Sequence, residues 1–269
     1  MIRLLLYLLI SLAASDVWCQ TPASPYKTDW LKDGAIVAGG VGTSLLGSYL
    51  IDNKARVTEA ELAALNKQNI NGFDRFSAGN YSPSAESTSD FFFYGSFAAP
   101  LALLLDKDIQ QNAPQVYLMY GEVLSIAGGI YSLTAGATRR RRPYVYSADT
   151  PLKLRTDKQA TNSFYAGHTA ATAASTFFLA KVFHDFNPDS PARPYIWAAA
   201  AAVPATVGYL RLKAGKHFLS DNIVGYAVGA SIGILVPELH KRNSNVALLP
   251  VSNGLYDGVA VVYLSLIHI

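Results

Sequence analysis

The stretch YLRLKAGKHFLSD, residues 209–221, sets Arg211, His217 and Asp221 in a predominantly apolar half of the chain. His217 and Asp221 are four residues apart, the spacing that stacks two side chains on one helix face. A carboxylate accepting a hydrogen bond from one imidazole nitrogen fixes the tautomer and leaves the other nitrogen as base or nucleophile. Arg211 adds a planar fork of donors suited to carboxylate or phosphate oxygens, so the trio reads as an anion site beside a histidine. Taken alone, it reads first as an ion pair at a helix end among ordinary surface charges.

Two earlier stretches also place rare polar groups at the ends of apolar segments. In TRRRRPYVY, residues 138–146, Pro143 ends a helix and holds Arg142 at its mouth. By itself such an arginine run is a solvated turn or a membrane-flanking basic cluster. In NSFYAGHTAATAAS, residues 162–175, Gly167 and His168 sit where an apolar helix begins. Unpaired backbone N–H groups and the positive end of the helix dipole make that position a seat for an anion. A lone histidine there also serves as a capping or packing residue. The order of the three blocks carries more than any one of them.

Arginine–proline, then Gly167-His168-Thr169, then Arg211, His217 and Asp221 at R-x5-H-x3-D spacing resemble the type 2 phosphatidic acid phosphatase (PAP2) superfamily, which includes class A acid phosphatases and vanadium haloperoxidases. The resemblance covers about residues 90–240 and implies an all-α bundle of about six core helices. It implies that His217 attacks phosphorus to form a phosphohistidine, that Asp221 holds its ring, and that His168 protonates the leaving oxygen. Arg142, Arg211 and the N–H groups around Gly167 and His168 would stabilise charge on the phosphoryl oxygens, with no cofactor and no metal. The chain departs from the family pattern at Ala135, where a lysine is expected. It departs also at Tyr165 and Ala166, which replace Pro-Ser, and at Leu210, which replaces a serine. Arg139 or Arg140 is the expected substitute for the lysine. Two other readings follow from the same resemblance: a non-catalytic phospholipid-binding protein and a vanadate-dependent haloperoxidase.

The elements that must position these residues are helices. The 269 residues are 51% hydrophobic and 15% charged, with one cysteine, Cys19, and a net charge of +3. That charge, without a basic face interleaved with aromatics, argues against nucleic acid. The mean hydropathy of +0.19 lies between soluble and polytopic membrane proteins. Residues 1–20 read as a signal peptide, 21–90 as helices and a loop leading inward, 91–240 as the core, and 241–269 as a short tail. Within that tail the final SLIHI reads as non-native, and the stretch before it as a strand or a disordered end. Helices are expected at about 34–51, 58–68, 91–105, 114–138, 163–184, 195–210 and 217–239, with a polar loop over 71–90 and a kink at Pro204. No zinc-spaced cluster and no G-x-S-x-G motif is found. A bacterial cell-envelope location with the site facing the periplasm is expected, with membrane insertion left open. A membrane form implies a phospholipid substrate and a soluble form a small phosphomonoester. If the signal is cleaved and every later segment spans, three crossings put the Arg142 loop on the cytoplasmic face.

Overall fold

The computed structural model describes residues 24–242, 246–252 and 257–263; the expected signal peptide lies outside them. Six long helices build the fold: α1 (Trp30–Asp52), α2 (Pro83–Ala98), α3 (Ala113–Ala137), α4 (Gly167–Phe186), α5 (Arg193–Lys213) and α6 (Leu219–His240). The expected all-α bundle is therefore the observed one. The tail adds an antiparallel hairpin, β1 (Val246–Ser252) and β2 (Asp257–Tyr263), with Val246 opposite Tyr263.

Helix starts follow local chemistry. The Asp29 carboxylate accepts from the N–H groups of Leu31 and Lys32 and caps α1. Thr58 and Glu61 form the expected capping box, but the helix behind them ends at Ala63 instead of reaching residue 68. The polar stretch expected to be a loop up to residue 90 contains the first two turns of α2. Ser82 accepts from the Ala85 N–H and Pro83 occupies the first turn, a start signal that the Ser-rich composition disguised. From Ala99 the same segment tightens into a 3-10 helix that runs to Leu105.

α5 runs through Pro204 as a helix. Proline has no N–H to offer the carbonyl four residues back, and that carbonyl, on Ala200, accepts instead from the Thr176 hydroxyl of α4 at 2.9 Å. A neighbouring helix thus takes over the broken bond.

The helices alternate in direction. The end of α1, the starts of α2, α4 and α6, and the ends of α3 and α5 meet at one end of the bundle. Residues 24–27 pair with 240–242 at the other, where Lys27 N–H donates to the His240 carbonyl and Arg242 N–H to that of Pro25. The interior is filled by Tyr26, Ile109, Met119, Val123 and Phe178 among others. The outer faces of α1 and α2 are apolar and bare, with Leu31, Leu45, Tyr49, Phe91 and Tyr94 more than half exposed. Among the described residues, four helices are long and apolar enough to cross a membrane: α1, α2 with its 3-10 extension, α3 and α6.

The tightest contact lies between α4 and α6. Gly225, Gly229 and Gly233 repeat every four residues, and a Cβ on them would lie 2.5, 2.0 and 2.5 Å from the carbonyl oxygens of Ala166, Ala170 and Ala174. Small residues facing small residues let the two backbones touch, as in membrane helix pairs. Gly229→Ala should destabilise the fold by about 1–3 kcal/mol, because a methyl group there has no room beside a main-chain oxygen. The check is the Tm of the purified variant, and an unchanged Tm would mean that the helices do not approach this closely.

Candidate active site

Gly215 makes the turn between α5 and α6 with φ +71°, and a Cβ there would lie 1.8 Å from the Asn80 carbonyl oxygen. Only glycine fits. The turn delivers Lys216 and His217 directly after the helix that carries Arg211. His217 lies before α6, not on it: the helix begins at Leu219 with Phe218 as its N-cap. The expectation of a His217–Asp221 pair stacked on one helix face is therefore corrected.

The ring of His217 is held by main chain. Its Nδ1 lies 2.6 Å from the Ser163 carbonyl oxygen, which only accepts, so Nδ1 carries the proton and Nε2 keeps a lone pair. Asp221 reaches this arrangement at one remove. Its Oδ2 accepts from the Ser163 hydroxyl at 2.6 Å and from the Phe218 N–H at 2.9 Å, and its Oδ1 accepts from Arg140. The physical reason is helix capping. A carboxylate in the first turn folds back onto the N-cap N–H, and it cannot at the same time reach the residue before the cap. His217 is 1% exposed and Asp221 fully buried.

Arg140–Arg142 run extended beside Ala160–Ser163: Arg140 N–H donates to the Thr161 carbonyl, Arg142 N–H to that of Ala160, and Ser163 N–H to that of Arg140. Extended backbone alternates its side chains, which sorts the arginine run into two faces. Arg139 and Arg141 turn outward onto Glu61, Arg139 with two bonds of 2.7 and 3.2 Å. Arg139 is thus removed from the anion-binding role expected of it. Arg140 turns inward, stacks over Phe218 at 4.7 Å, and joins Asp221 to Asp74, which also accepts from Ser220 N–H and hydroxyl. It is a strut for the start of α6, not a contact for an anion.

Arg142 is the other inward side chain. It is 8% exposed, its Nε makes no hydrogen bond, and among the described residues no carboxylate pairs with it. Arg211, 3% exposed, donates to Asp90 Oδ1 at 3.1 Å and to Ser89 Oγ at 3.3 Å, with its Nε also unpartnered. Burial first, and the charges of these two arginines next, hold the His217 imidazole well below its ordinary value. It is neutral at physiological pH.

His168 stands in the first turn of α4, stacked on Phe93 with ring centroids 4.0 Å apart, and its Nε2 lies 3.2 Å from the same Asp90 oxygen that Arg211 holds. No side chain caps α4. The Ala166 N–H donates to the Asp221 carbonyl at 3.1 Å, so the serine-to-alanine departure costs a hydroxyl and leaves the N–H groups of Gly167 and His168 as the ones aimed outward. Gly167 is required by its neighbour, since a Cβ would lie 2.5 Å from the Tyr131 ring.

Lys216 and Asp90 were not singled out in the sequence. Lys216 follows a turn glycine and immediately precedes His217, while Asp90 looked like the boundary of a helix. The Lys216 ammonium lies 2.6 Å from Glu86 and 5.4 Å from the centre of the Tyr144 ring. Burial pulls it below its ordinary value, Glu86 opposes this, and Arg142 and Arg211 add to the lowering. Lys54 places its ammonium on the carbonyls of Ala135 and Thr138 and on Asn162 Oδ1, closing the C-terminus of α3 at the position where the family pattern has lysine. Burial, and then Arg142 and Arg139, lower it to about 8.

The arrangement is a cationic pocket with two histidines: Arg142 on the extended segment after α3, Arg211 in the last turn of α5, Lys216 in the turn that follows it, the uncapped start of α4, a neutral imidazole with Nε2 available, and a second imidazole beside a carboxylate. Such a set suits a tetrahedral oxyanion and offers it a nucleophile; burial first, and then Arg211, Arg142 and Lys216, lower His168 to about 2, so that imidazole is neutral until an anion offsets the cations. The chain was compared with known proteins. Comparison with curated proteins returned no match. Among solved structures it is similar to the crystal structure of a transmembrane PAP2-type phosphatidylglycerolphosphate phosphatase from Bacillus subtilis, with 18% identity, a TM-score of 0.44, and 73% of this chain and 93% of that chain covered. The PAP2 superfamily model matches residues 116–245, a range that holds Arg142, Gly167, His168, Arg211, His217 and Asp221. Over residues 116–245 the chain is therefore similar to the PAP2 superfamily.

Proposed function

We propose that this protein is a phosphohydrolase that removes phosphate from membrane lipid phosphates through a phosphohistidine, without a metal in the pocket. The observation that carries the reading is a buried guanidinium, Arg142, without an anionic partner among the described residues, next to a neutral histidine. A buried charge is costly unless it is paired, and a phosphate supplies the missing anion.

In this reading the phosphoryl oxygens lie among Arg142, Arg211, Lys216 and the N–H groups of Gly167 and His168. Lys216 supplies the charge that Ala135 lacks. Asp90 and Glu86 hold the cations while no phosphate is bound. The Nε2 lone pair of His217 forms a bond to phosphorus as the bond to the leaving oxygen breaks, and His168, which takes up a proton with the incoming phosphate because that anion offsets Arg211, Arg142 and Lys216, gives it to that oxygen. His168 then takes a proton from water as the water attacks phosphorus, which releases phosphate and restores His217. Asp221 acts through Ser163, as a positioning residue.

A lipid substrate is favoured by an apolar groove of about 410 Å³ between α5 and α6. It begins at Thr169, Leu212 and Leu219, each within two residues of a pocket residue, and runs past Gly208 and Ile223 to Tyr226 and Ala227. An acyl or prenyl chain lying there leaves its phosphate at the pocket. The bare faces of α1 and α2 are then covered by lipid, with Trp30 and Tyr49 near the two ends of α1 at the interfaces. The helices belong to the bacterial envelope, with the pocket at the periplasmic face. Alternation of the helices then puts residues 24–29 on the cytoplasmic face.

His217→Ala should abolish phosphate release from phosphatidic acid in detergent micelles while leaving the helical circular-dichroism spectrum intact. Full activity in that variant would remove His217 from its role. Blocking the groove with Ala205→Trp should raise KM for a long-chain lipid phosphate by tenfold or more and leave p-nitrophenyl phosphate turnover nearly unchanged; equal effects on both would exclude the groove as the chain's seat. Ser163→Ala removes one hydrogen bond to a charged group, worth about 1.5–3 kcal/mol. It should lower kcat by ~10-fold or more with little change in KM, and Ser163→Thr should restore it. A change in KM alone would mean that Asp221 does not position His217.

A further inference from the structure

At the end of the bundle away from the pocket, three side chains, two buried and one partly buried, converge from three helices: Asp33 in the first turn of α1, Glu122 within α3, and His240 at the last residue of α6. One ligand atom from each lies within 4.8 Å of the other two. Asp33 and Glu122 are 6% and 1% exposed. The α6 helix has 22 residues, so about 30 Å separates this cluster from His217.

The contacts are not those of hydrogen bonds. His240 Nε2 lies 3.5 Å from Asp33 Oδ1 and 3.4 Å from Glu122 Oε1, beyond the usual N–H···O range, and Glu122 Oε1 makes no hydrogen bond although it is fully buried. Those separations match the edges of a coordination tetrahedron: metal bonds of about 2.0–2.1 Å put neighbouring ligands about 3.3–3.4 Å apart. The outer shell is also in place. His240 Nδ1 donates to the Val236 carbonyl at 2.8 Å, so Nε2 is the nitrogen that faces the two carboxylates and that a metal would take in place of a proton, and Asp33 Oδ2 accepts from the Asp29 N–H at 2.7 Å, which leaves Oδ1 aimed inward. Charge decides the occupant. Two carboxylates with a divalent cation and a neutral imidazole sum to zero in apolar surroundings, whereas the same carboxylates around an imidazolium leave a net buried negative charge.

We infer that Asp33, Glu122 and His240 bind one divalent metal ion of the zinc class, with water as a fourth ligand, which joins α1 to α3 and α6. Sequence spacing could not reveal it, because each ligand comes from a different helix, and the expectation of no metal site is revised at this place only. The pocket chemistry does not depend on it.

The test is zinc binding by untagged, detergent-solubilised full-length protein stripped with chelator. Mass spectrometry should find about one zinc per chain after reloading and desalting. A hundredfold excess over Kd should raise Tm by about 5 °C or more. Cobalt should give the visible bands of a four-coordinate ion. Glu122→Gln and His240→Gln should each lose all three signals, while His217→Ala keeps them. Failure of the wild type to bind, or equal binding by folded Glu122→Gln and His240→Gln, would overturn the assignment. If neither variant folds, Asp33→Asn decides it by the same readouts, because Asp29 retains its cap contacts to Leu31 and Lys32.

Discussion

The contact between α4 and α6 is the constraint on which the pocket depends. His168 opens one of these helices and His217 immediately precedes the other, so the two imidazoles approach only as closely as the two backbones do. Three glycines against three alanine carbonyls allow backbone contact, and the Ala166 N–H bonded to the Asp221 carbonyl fixes the relative height of the two helix starts. A leucine anywhere along that seam would push the two helix starts, and with them the two histidines, apart by the width of a side chain.

Around that seam, charge is arranged in two tiers. Arg140, Asp74 and Asp221 form a closed network with Ser163 and Ser220, in which the buried carboxylates are satisfied and the guanidinium is stacked on Phe218. This tier is rigid because every group has partners. Arg142, Arg211 and Lys216 form the second tier, and there the partners are incomplete or borrowed from α2: Asp90 and Glu86 lie one helical turn apart and meet Arg211 and Lys216. An anion entering the pocket would compete with two carboxylates on one helix face, so its binding and the seating of α2 would be coupled through the same cations.

The molecule is polarised along its length. One end carries the cationic pocket; the other ties residues 24–27 to the end of α6, with Tyr26, Lys181, Asp185, Glu238 and Lys241 in a second ionic network. Between them the surface is apolar. Buried ion pairs at this far end fix helix register where no substrate does so. They free the pocket end to be less completely satisfied, and therefore able to bind.

Local chemistry settled much of this in the sequence. Apolar segments of helical length, proline and glycine punctuation, the capping box at Thr58 and the ordered blocks at Arg142, Gly167-His168 and Arg211-His217-Asp221 are all short-range features, and a chain states such features directly. Tertiary structure decided what those residues touch. Which of four adjacent arginines faces inward depended on extended pairing with Ala160–Ser163, a partner some twenty residues away. Asp221 met Ser163 instead of His217 because a first-turn carboxylate folds onto its own cap. Lys216, Asp90 and Lys54 gained meaning only from neighbours on other helices, and α2 began inside a stretch whose composition is that of a loop. Spacing along one helix reports which residues share a face; it carries no information on which other helix that face will meet, and the chemistry of this site is made between helices.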